Sequence, residues 1–320
     1  MDAVSHLGGA GFFIPLLLAA YWCADPRLAA RATVILSFGS VLNTVLKLAF
    51  HAPRPYWTDP TVTGRESRVS FGMPSGHAQN SMVVWGFLAT RTRRRYLWAA
   101  AVALIVLIGA SRVYLGVHSP GQVLAGWGVG LVLLVAALGL EPMVVPWWTR
   151  RPLAVQVLLA LAVSLLFLGA AWGLTHSLQD WRWPPSWARA IAAEGGRTRP
   201  ITVNEAAAAT GGLFGILAGL SVVAARGWFD AGGEAWRRLA RLPVGVLGAL
   251  VIAALGLACP DHPLRSFAVQ ALLGLWVTAG APEVFVRLRL ARRPVPRHVR
   301  DDGGRPDGGR ADGGRAELRQ

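Results

Sequence analysis

Long apolar runs separated by short polar gaps occupy most of the chain, and only its last stretch leaves that rhythm. A helix that crosses a bilayer needs about 20 predominantly apolar residues. On that measure the runs predict spanning helices over roughly 8–23, 29–50, 75–91, 95–115, 119–140, 152–175, 205–225, 242–258 and 264–285. The third run is the least apolar, because His77, Gln79, Asn80 and Ser81 crowd its start. Polar groups in such a place face protein or water rather than lipid. The expected fold class is all-α: a polytopic transmembrane helical bundle of about nine spans.

Composition supports a chain whose solvent is largely lipid, with 53% hydrophobic and 15% charged residues. The net charge of +15 comes mostly from arginine. Its distribution argues against a nucleic-acid partner: the basic residues are divided among short gaps and form no single stripe. Arg27 and Arg31, the group Arg91, Arg93, Arg94 and Arg95, then Arg150 and Arg151, Arg226, Arg237, Arg238 and Arg241, and Arg287, Arg289, Arg292 and Arg293 all fall on one side if the spans alternate. Basic loops favour the cytoplasm, which puts the C-terminal tail inside and the N-terminus outside. Arg182, Arg189, Arg197 and Arg199 on the other side moderate the bias. The expected location is a bacterial inner or plasma membrane. The run from Gly11 to Trp22 has no basic region before it and reads as a retained span. Cys23 and Cys259 lack metal-ligand spacing and read as small packing residues.

The gap from His176 to Asn204 is the longest, and Trp181, Trp183 and Trp187 cluster in it. Tryptophans beside a span favour the headgroup level of a bilayer, so anchoring is the first reading and a lid over a substrate the second. From Asp301 the chain reads DDGGRPDGGRADGGR, a charged, Gly-rich near-repeat expected to be disordered. The chain divides accordingly into a membrane core over 1–175, additional helices with the Trp-rich loop over 176–285, and a basic tail over 286–320.

Three polar clusters interrupt the apolar text: Lys47 with Arg54 and Pro55, then Pro74-Ser75-Gly76-His77, then Ser111-Arg112 with His118. Lys47 ends the second span, His77 starts the third, Arg112 lies near the end of the fourth and His118 just before the fifth. Alternating spans bring all of them to one membrane face. The residue types suit phosphoryl chemistry. Lys47, Arg54 and Arg112 offer cations to phosphate oxygens, and arginine presents a planar fork. Pro74, Ser75 and Gly76 open a helix whose free N–H groups bind anions. His118 can attack phosphorus and His77 can protonate the leaving oxygen. No carboxylate cluster of the kind a two-metal phosphatase uses accompanies them, so the reaction expected is metal-independent, with no cofactor. His51, inside the first cluster, reads as incidental, and His176 and His262 as loop residues.

The pattern Lys47-x6-Arg54-Pro55, Pro74-Ser75-Gly76-His77, Ser111-Arg112-x5-His118 resembles the type 2 phosphatidic-acid phosphatase superfamily, which includes the vanadium haloperoxidases, glucose-6-phosphatases, sphingosine-phosphate phosphatases and polyprenyl diphosphatases. The motifs cover residues 47 to 122. The resemblance implies a six-helix phosphatase core over about the first 175 residues. It implies phosphate contacts from Lys47, Arg54, Ser75, Gly76, His77 and Arg112, with His77 as acid and His118 as nucleophile. One position departs from the usual pattern: Gln122 stands where the superfamily commonly has Asp. Gln122 reads both as the third residue of a capping box opened by Ser119 and as an acceptor that orients His118. Glucose-6-phosphatases and dolichyl diphosphatases resemble the chain in carrying Gln there.

The function expected is hydrolysis of a lipid phosphate or diphosphate through a phosphohistidine. Phosphatidic acid, a sphingoid-base phosphate and a polyprenyl diphosphate all fit, with membrane lipids as the remaining partners. The stretch Asn204-Glu205-Ala206 leading into a Gly-rich helix resembles the sphingosine-phosphate phosphatase branch. A catalytically weak relative acting as a lipid-binding scaffold is the alternative, and Gln122 is its support. The many spans argue against a soluble haloperoxidase, and no inverted repeat of broken helices suggests a transporter. Oligomeric state leaves no mark in the sequence.

Overall fold

A computed structural model describes residues 1–66, 70–193 and 202–294. Arg197, Arg199 and the near-repeat from Asp301 lie outside the described residues. The described elements are helical. In chain order they are α1 (Asp2–His6), α2 (Ala10–Cys23), α3 (Pro26–Phe50), the single turn α4 (Pro55–Thr58), α5 (Gly76–Thr90), α6 (Arg95–Tyr114), α7 (Pro120–Thr149), α8 (Leu153–Ser177), α9 (Pro185–Ala193), α10 (Val203–Ala225), α11 (Ala235–Leu257) and α12 (Pro263–Leu275). A π-helical turn over Trp276–Gly280 joins α12 to α13 (Ala281–Arg287).

Polar caps and prolines set where these helices begin. Asp25 accepts the N–H groups of Arg27 and Leu28, with Pro26 in the first helical position. Ser119 accepts the N–H of Gln122 while the Gln122 side chain takes that of Ser119, a complete capping box. Thr202 caps α10, and His262 caps α12 ahead of Pro263.

Each expected span coincides with a helix, with the last formed by α12, the π turn and α13. Seven are long and apolar enough to cross a membrane. The other two are shorter, α2 with 14 residues and α5 with 15. Some boundaries move. α7 runs on through Pro142 and Pro146 to Thr149, because a neighbouring bundle tolerates proline in a membrane helix. α11 starts at Ala235, so Arg237, Arg238 and Arg241 lie on its first turns rather than in a loop. The Trp-rich stretch contains α9, and His176 belongs to the last turn of α8, stacked on Trp172.

α5 is the central helix and packs against α3, α6 and α7. Its modest hydropathy follows from that position, since Gln79 and Ser81 are buried against protein. Two glycines on α7 make the approach possible. A Cβ at Gly126 would lie 2.5 Å from the Ser75 carbonyl oxygen, and one at Gly130 2.7 Å from that of Gln79. Four-residue spacing of small residues is how helix backbones come close in lipid. α10 applies the same device against α12 with Gly211 and Gly215, and it also packs on α3 and α8, so the later helices continue one bundle.

The two ends of the bundle differ. At one end, Arg31 and Arg91 pair with Glu141, and Arg226, Arg287 and Arg293 pair with Glu283. The chain after α13 also packs there: Ala291 is buried beside Phe285, and Arg292 bridges to Asp230. The other end holds the C-termini of α3 and α6, the N-termini of α5 and α7, and α9.

Candidate functional site

Lys47, in the last turn of α3, donates to the Ser70 hydroxyl at 3.0 Å. Arg54, the cap of α4, reaches the same residue: its Nε donates to the Ser70 carbonyl at 2.7 Å, and Nη2 to the Ser70 hydroxyl and the Phe71 carbonyl. Its Nη1 donates to the Val117 carbonyl at 2.9 Å and lies 3.2 Å from His118 Nε2. The first and third motifs therefore meet at the imidazole edge, and Ser70 stands between the two cations.

The other ring nitrogen faces Gln122. Its Oε1 is 3.1 Å from His118 Nδ1, while its Nε2 donates to the Pro53 carbonyl at 2.7 Å. The Pro53 bond fixes which end of the amide points at the imidazole. Oε1 must then accept a proton from Nδ1, which leaves the lone pair of Nε2 directed at Arg54. These contacts fit the Nδ1–H tautomer, with the unprotonated Nε2 turned toward Arg54. Gln122 performs the cap and the orienting contact together, and it ties the third motif to the residue before Arg54.

His118 lies in the turn between α6 and α7 and is only 3% exposed. Burial and the charges of Arg54, Lys47 and Arg112 hold its pKa well below the usual imidazole range, against a smaller opposing effect of the Gln122 contact. That shift favours the uncharged form of the imidazole. Arg112, 1% exposed in the last turn of α6, forms a bidentate pair with Glu66 at 2.9 and 3.1 Å and also donates to the Ser5 hydroxyl of α1.

The second motif supplies a helix start. Ser75 is the N-cap of α5, yet its hydroxyl makes no cap bond, is buried, and has no hydrogen-bond partner among the described residues. A buried hydroxyl at a helix N-terminus suits an anion site. The Ser75 N–H donates to the Gln122 carbonyl at 3.0 Å, which fixes this helix start to the third motif. Gly76 faces Asn43, where a Cβ would lie 3.2 Å from Asn43 Oδ1. His77, in the first turn of α5, lies against the turn before α2, close enough that a Cβ at Gly9 would be 3.1 Å from its Nε2. Lys47, Gly76 and His77 are half-buried, whereas Arg54, Arg112 and His118 are enclosed. Among the described residues, no group of three or more His, Cys, Asp or Glu side chains is placed to hold a metal ion.

The structure thus brings the three motifs to one end of the bundle. Sequence reasoning missed Ser5, Asn43, Glu66, Ser70 and Gly72. Asn43 had a readable signal: it lies one turn before Lys47 inside an apolar span, and it bonds Gln79 and the Pro74 carbonyl. Gly72 had none, but a Cβ there would come 2.5–2.8 Å from the Gln122 amide. His51, read as incidental, is the left-handed cap of α3 and packs on Phe71 and Trp181.

Comparison with known proteins identifies the family. The family described as "PAP2 superfamily" matches residues 28–146, and the one described as "PAP2 superfamily phosphatase, transmembrane extension" matches 207–293. The chain is 28% identical over 170 residues to lipid phosphate phosphatase delta of Arabidopsis thaliana, a match spanning 48% of this chain and 40% of that protein. It is 34% identical over 156 residues to phosphatidylglycerophosphatase B of Bacillus subtilis, spanning 44% of this chain and 73% of that protein. To sphingosine-1-phosphate phosphatase 2 of Mus musculus it is 32% identical over 151 residues, 45% of this chain and 40% of that protein. No solved structure matches the chain. Helical motifs, their convergence and the two family matches lead to one assignment: the chain belongs to the PAP2 superfamily.

Proposed function

We propose that this chain is an integral-membrane phosphatase that hydrolyses a lipid phosphate or diphosphate, without a metal, through a phosphohistidine at His118. The observation that carries the reading is the setting of His118: buried, with Nδ1 engaged by Gln122, Nε2 beside Arg54, and its pKa held down by burial and nearby cations. In the first step the Nε2 lone pair forms a bond to phosphorus, the phosphorus–oxygen bond to the leaving group breaks, and His77 gives its proton to the departing oxygen. In the second step His77 takes a proton from water, the resulting hydroxide displaces the imidazole from phosphorus, and inorganic phosphate leaves. Lys47, Arg54, Arg112, the Ser75 hydroxyl and the N–H groups at Gly76 and His77 stabilise the phosphoryl oxygens.

A phosphate head with an apolar tail suits a polar site at the end of an apolar bundle. The three relatives above bear names of phosphatases for a lipid phosphate, a phosphatidylglycerophosphate and sphingosine-1-phosphate. Phosphatidic acid, a sphingoid-base phosphate and a polyprenyl diphosphate are the candidate substrates. The arginine-rich end lies opposite the site, so by the positive-inside bias the site faces away from the cytoplasm of a bacterial inner or plasma membrane.

The test uses full-length protein in detergent with EDTA, and measures phosphate release from those three lipids. Turnover that survives chelation and disappears in His118→Ala is expected. Turnover that persists in His118→Ala would overturn the nucleophile, and none from any lipid would favour a lipid-binding scaffold.

A further inference from the structure

The stretch between the two family-matched regions covers the first-motif side of the site. α9 packs on α4, the turn that directly follows Arg54. Trp187 of α9 lies 5.8 Å from Trp57, ring centre to ring centre, and 5.9 Å from Trp181. Trp181 in turn lies 6.1 Å from Phe71 and 5.3 Å from His51, and Trp57 lies 6.2 Å from Phe71. Ile191 completes the contact and is wholly buried. The rings therefore form one closed cluster, with Phe71 and Trp57 at its base.

That base is also what holds Arg54. The Ser70 and Phe71 carbonyls accept from its guanidinium, and Trp57 donates its backbone N–H to the Arg54 carbonyl at 3.0 Å. We infer that Trp181 and Trp187 are positioning residues: by clamping Phe71 and Trp57 they fix the Arg54 guanidinium against His118. Two of the three tryptophans expected to anchor the chain at the headgroups thus turn into the protein. The inference rests on the proposed role of Arg54 at the phosphate. It predicts an effect that belongs to the phosphate and not to the lipid tail, because neither tryptophan needs to touch substrate.

Trp181→Ala and Trp187→Ala, purified as the full chain in detergent, are compared on a water-soluble aryl phosphate and on a long-chain lipid phosphate. Both variants should lose turnover by about tenfold to a hundredfold on either substrate, the cost expected when a charged group is displaced by a fraction of an ångström to an ångström. Inhibition by inorganic phosphate should weaken in parallel. Trp187→Phe, which keeps a ring against Trp57, should recover most of the loss, and it carries the test if the alanine variants do not fold. In an Arg54→Lys background Trp187→Ala should add little, since both changes act on one group. A loss confined to the lipid substrate, or full additivity with Arg54→Lys, would overturn the inference in favour of lipid or membrane contact. A wild type without turnover would sink the functional reading instead. The positioning claim is then decided by calorimetric binding of inorganic phosphate, which should be weaker in the alanine variants and would refute the claim if unchanged.

Discussion

Of the buried arginines, Arg54 and Arg241 lie at opposite ends of the bundle, and their surroundings separate structure from chemistry. Arg241, 0% exposed on α11, spends its guanidinium on main-chain oxygens: it donates to the carbonyls of Trp22, Ala231, Gly232 and Leu290. It fastens α2, the turn before α11 and the chain after α13. Arg54 is nearly as enclosed, at 2%, and also grips carbonyls, but one of its nitrogens faces Nε2 of the His118 imidazole. Near that imidazole, the helix start tied to it by the Gln122 carbonyl has a buried hydroxyl with no partner among the described residues. A buried cation in a membrane protein marks a candidate site by default. On the proposed function, the unsatisfied or reactive neighbour carries the distinction, not the cation.

The largest effect expected is at the imidazole. His118→Ala should lower turnover by about 10³-fold or more while leaving the melting temperature within a few degrees, because the remaining groups position substrate but provide no nucleophile. The arginines should then split. Arg241→Ala strands four carbonyl partners, each costing about 1–3 kcal/mol when buried without a donor. Thermal denaturation should show a large loss of stability, with the folded fraction retaining its turnover number. Arg54→Ala strands the Ser70, Phe71 and Val117 carbonyls and should also lose stability, but its folded fraction, unlike that of Arg241→Ala, should lose turnover number by about a hundredfold or more. Equal stability losses with equal retention of activity would erase the contrast.

A smaller effect is expected around Gln122. Asp at this position is shorter and has no N–H for the Pro53 carbonyl, so Gln122→Asp should lower turnover despite restoring the residue usual in the family. Gly72→Ala pushes on the same amide and should cost about tenfold, with the two changes failing to add. If Gln122→Ala matches wild type, the orienting role falls and the cap alone remains.

The smallest effect is a shift in pH. Burial and three cations hold the His118 pKa down, so the unfolded chain takes up this proton before the folded one does. The group therefore costs stability as pH falls below about 6.5 and is without effect well above it. The acid limb of kcat/KM that reports His118 should lie below that value. Lys47→Met removes one of the depressing charges and should move that limb to higher pH. A shift to lower pH would contradict the electrostatic account.

The sequence made the bundle readable because each helix is a long apolar run bounded by a cap, a proline or an arginine, signals that need no tertiary information. The motifs were readable because their residues sit at helix ends that alternation brings to one face. Glu66, Ser70 and Gly72 were not readable. They lie in an irregular segment with no periodicity, and each acquires meaning only from a partner far along the chain: Arg112, Lys47 and Arg54, and Gln122 respectively. The tryptophans were ambiguous for the same reason, since an aromatic beside a span reads alike whether it faces lipid or Phe71.

The central claim is that His118 Nε2 bonds to phosphorus. Mixing the protein with a lipid radiolabelled in its phosphate, followed by rapid quenching in alkali, tests it directly. The account predicts labelled protein whose phosphate survives alkali, is released by acid and is absent in His118→Ala. Turnover without any labelled protein, or the same label in His118→Ala, would contradict it.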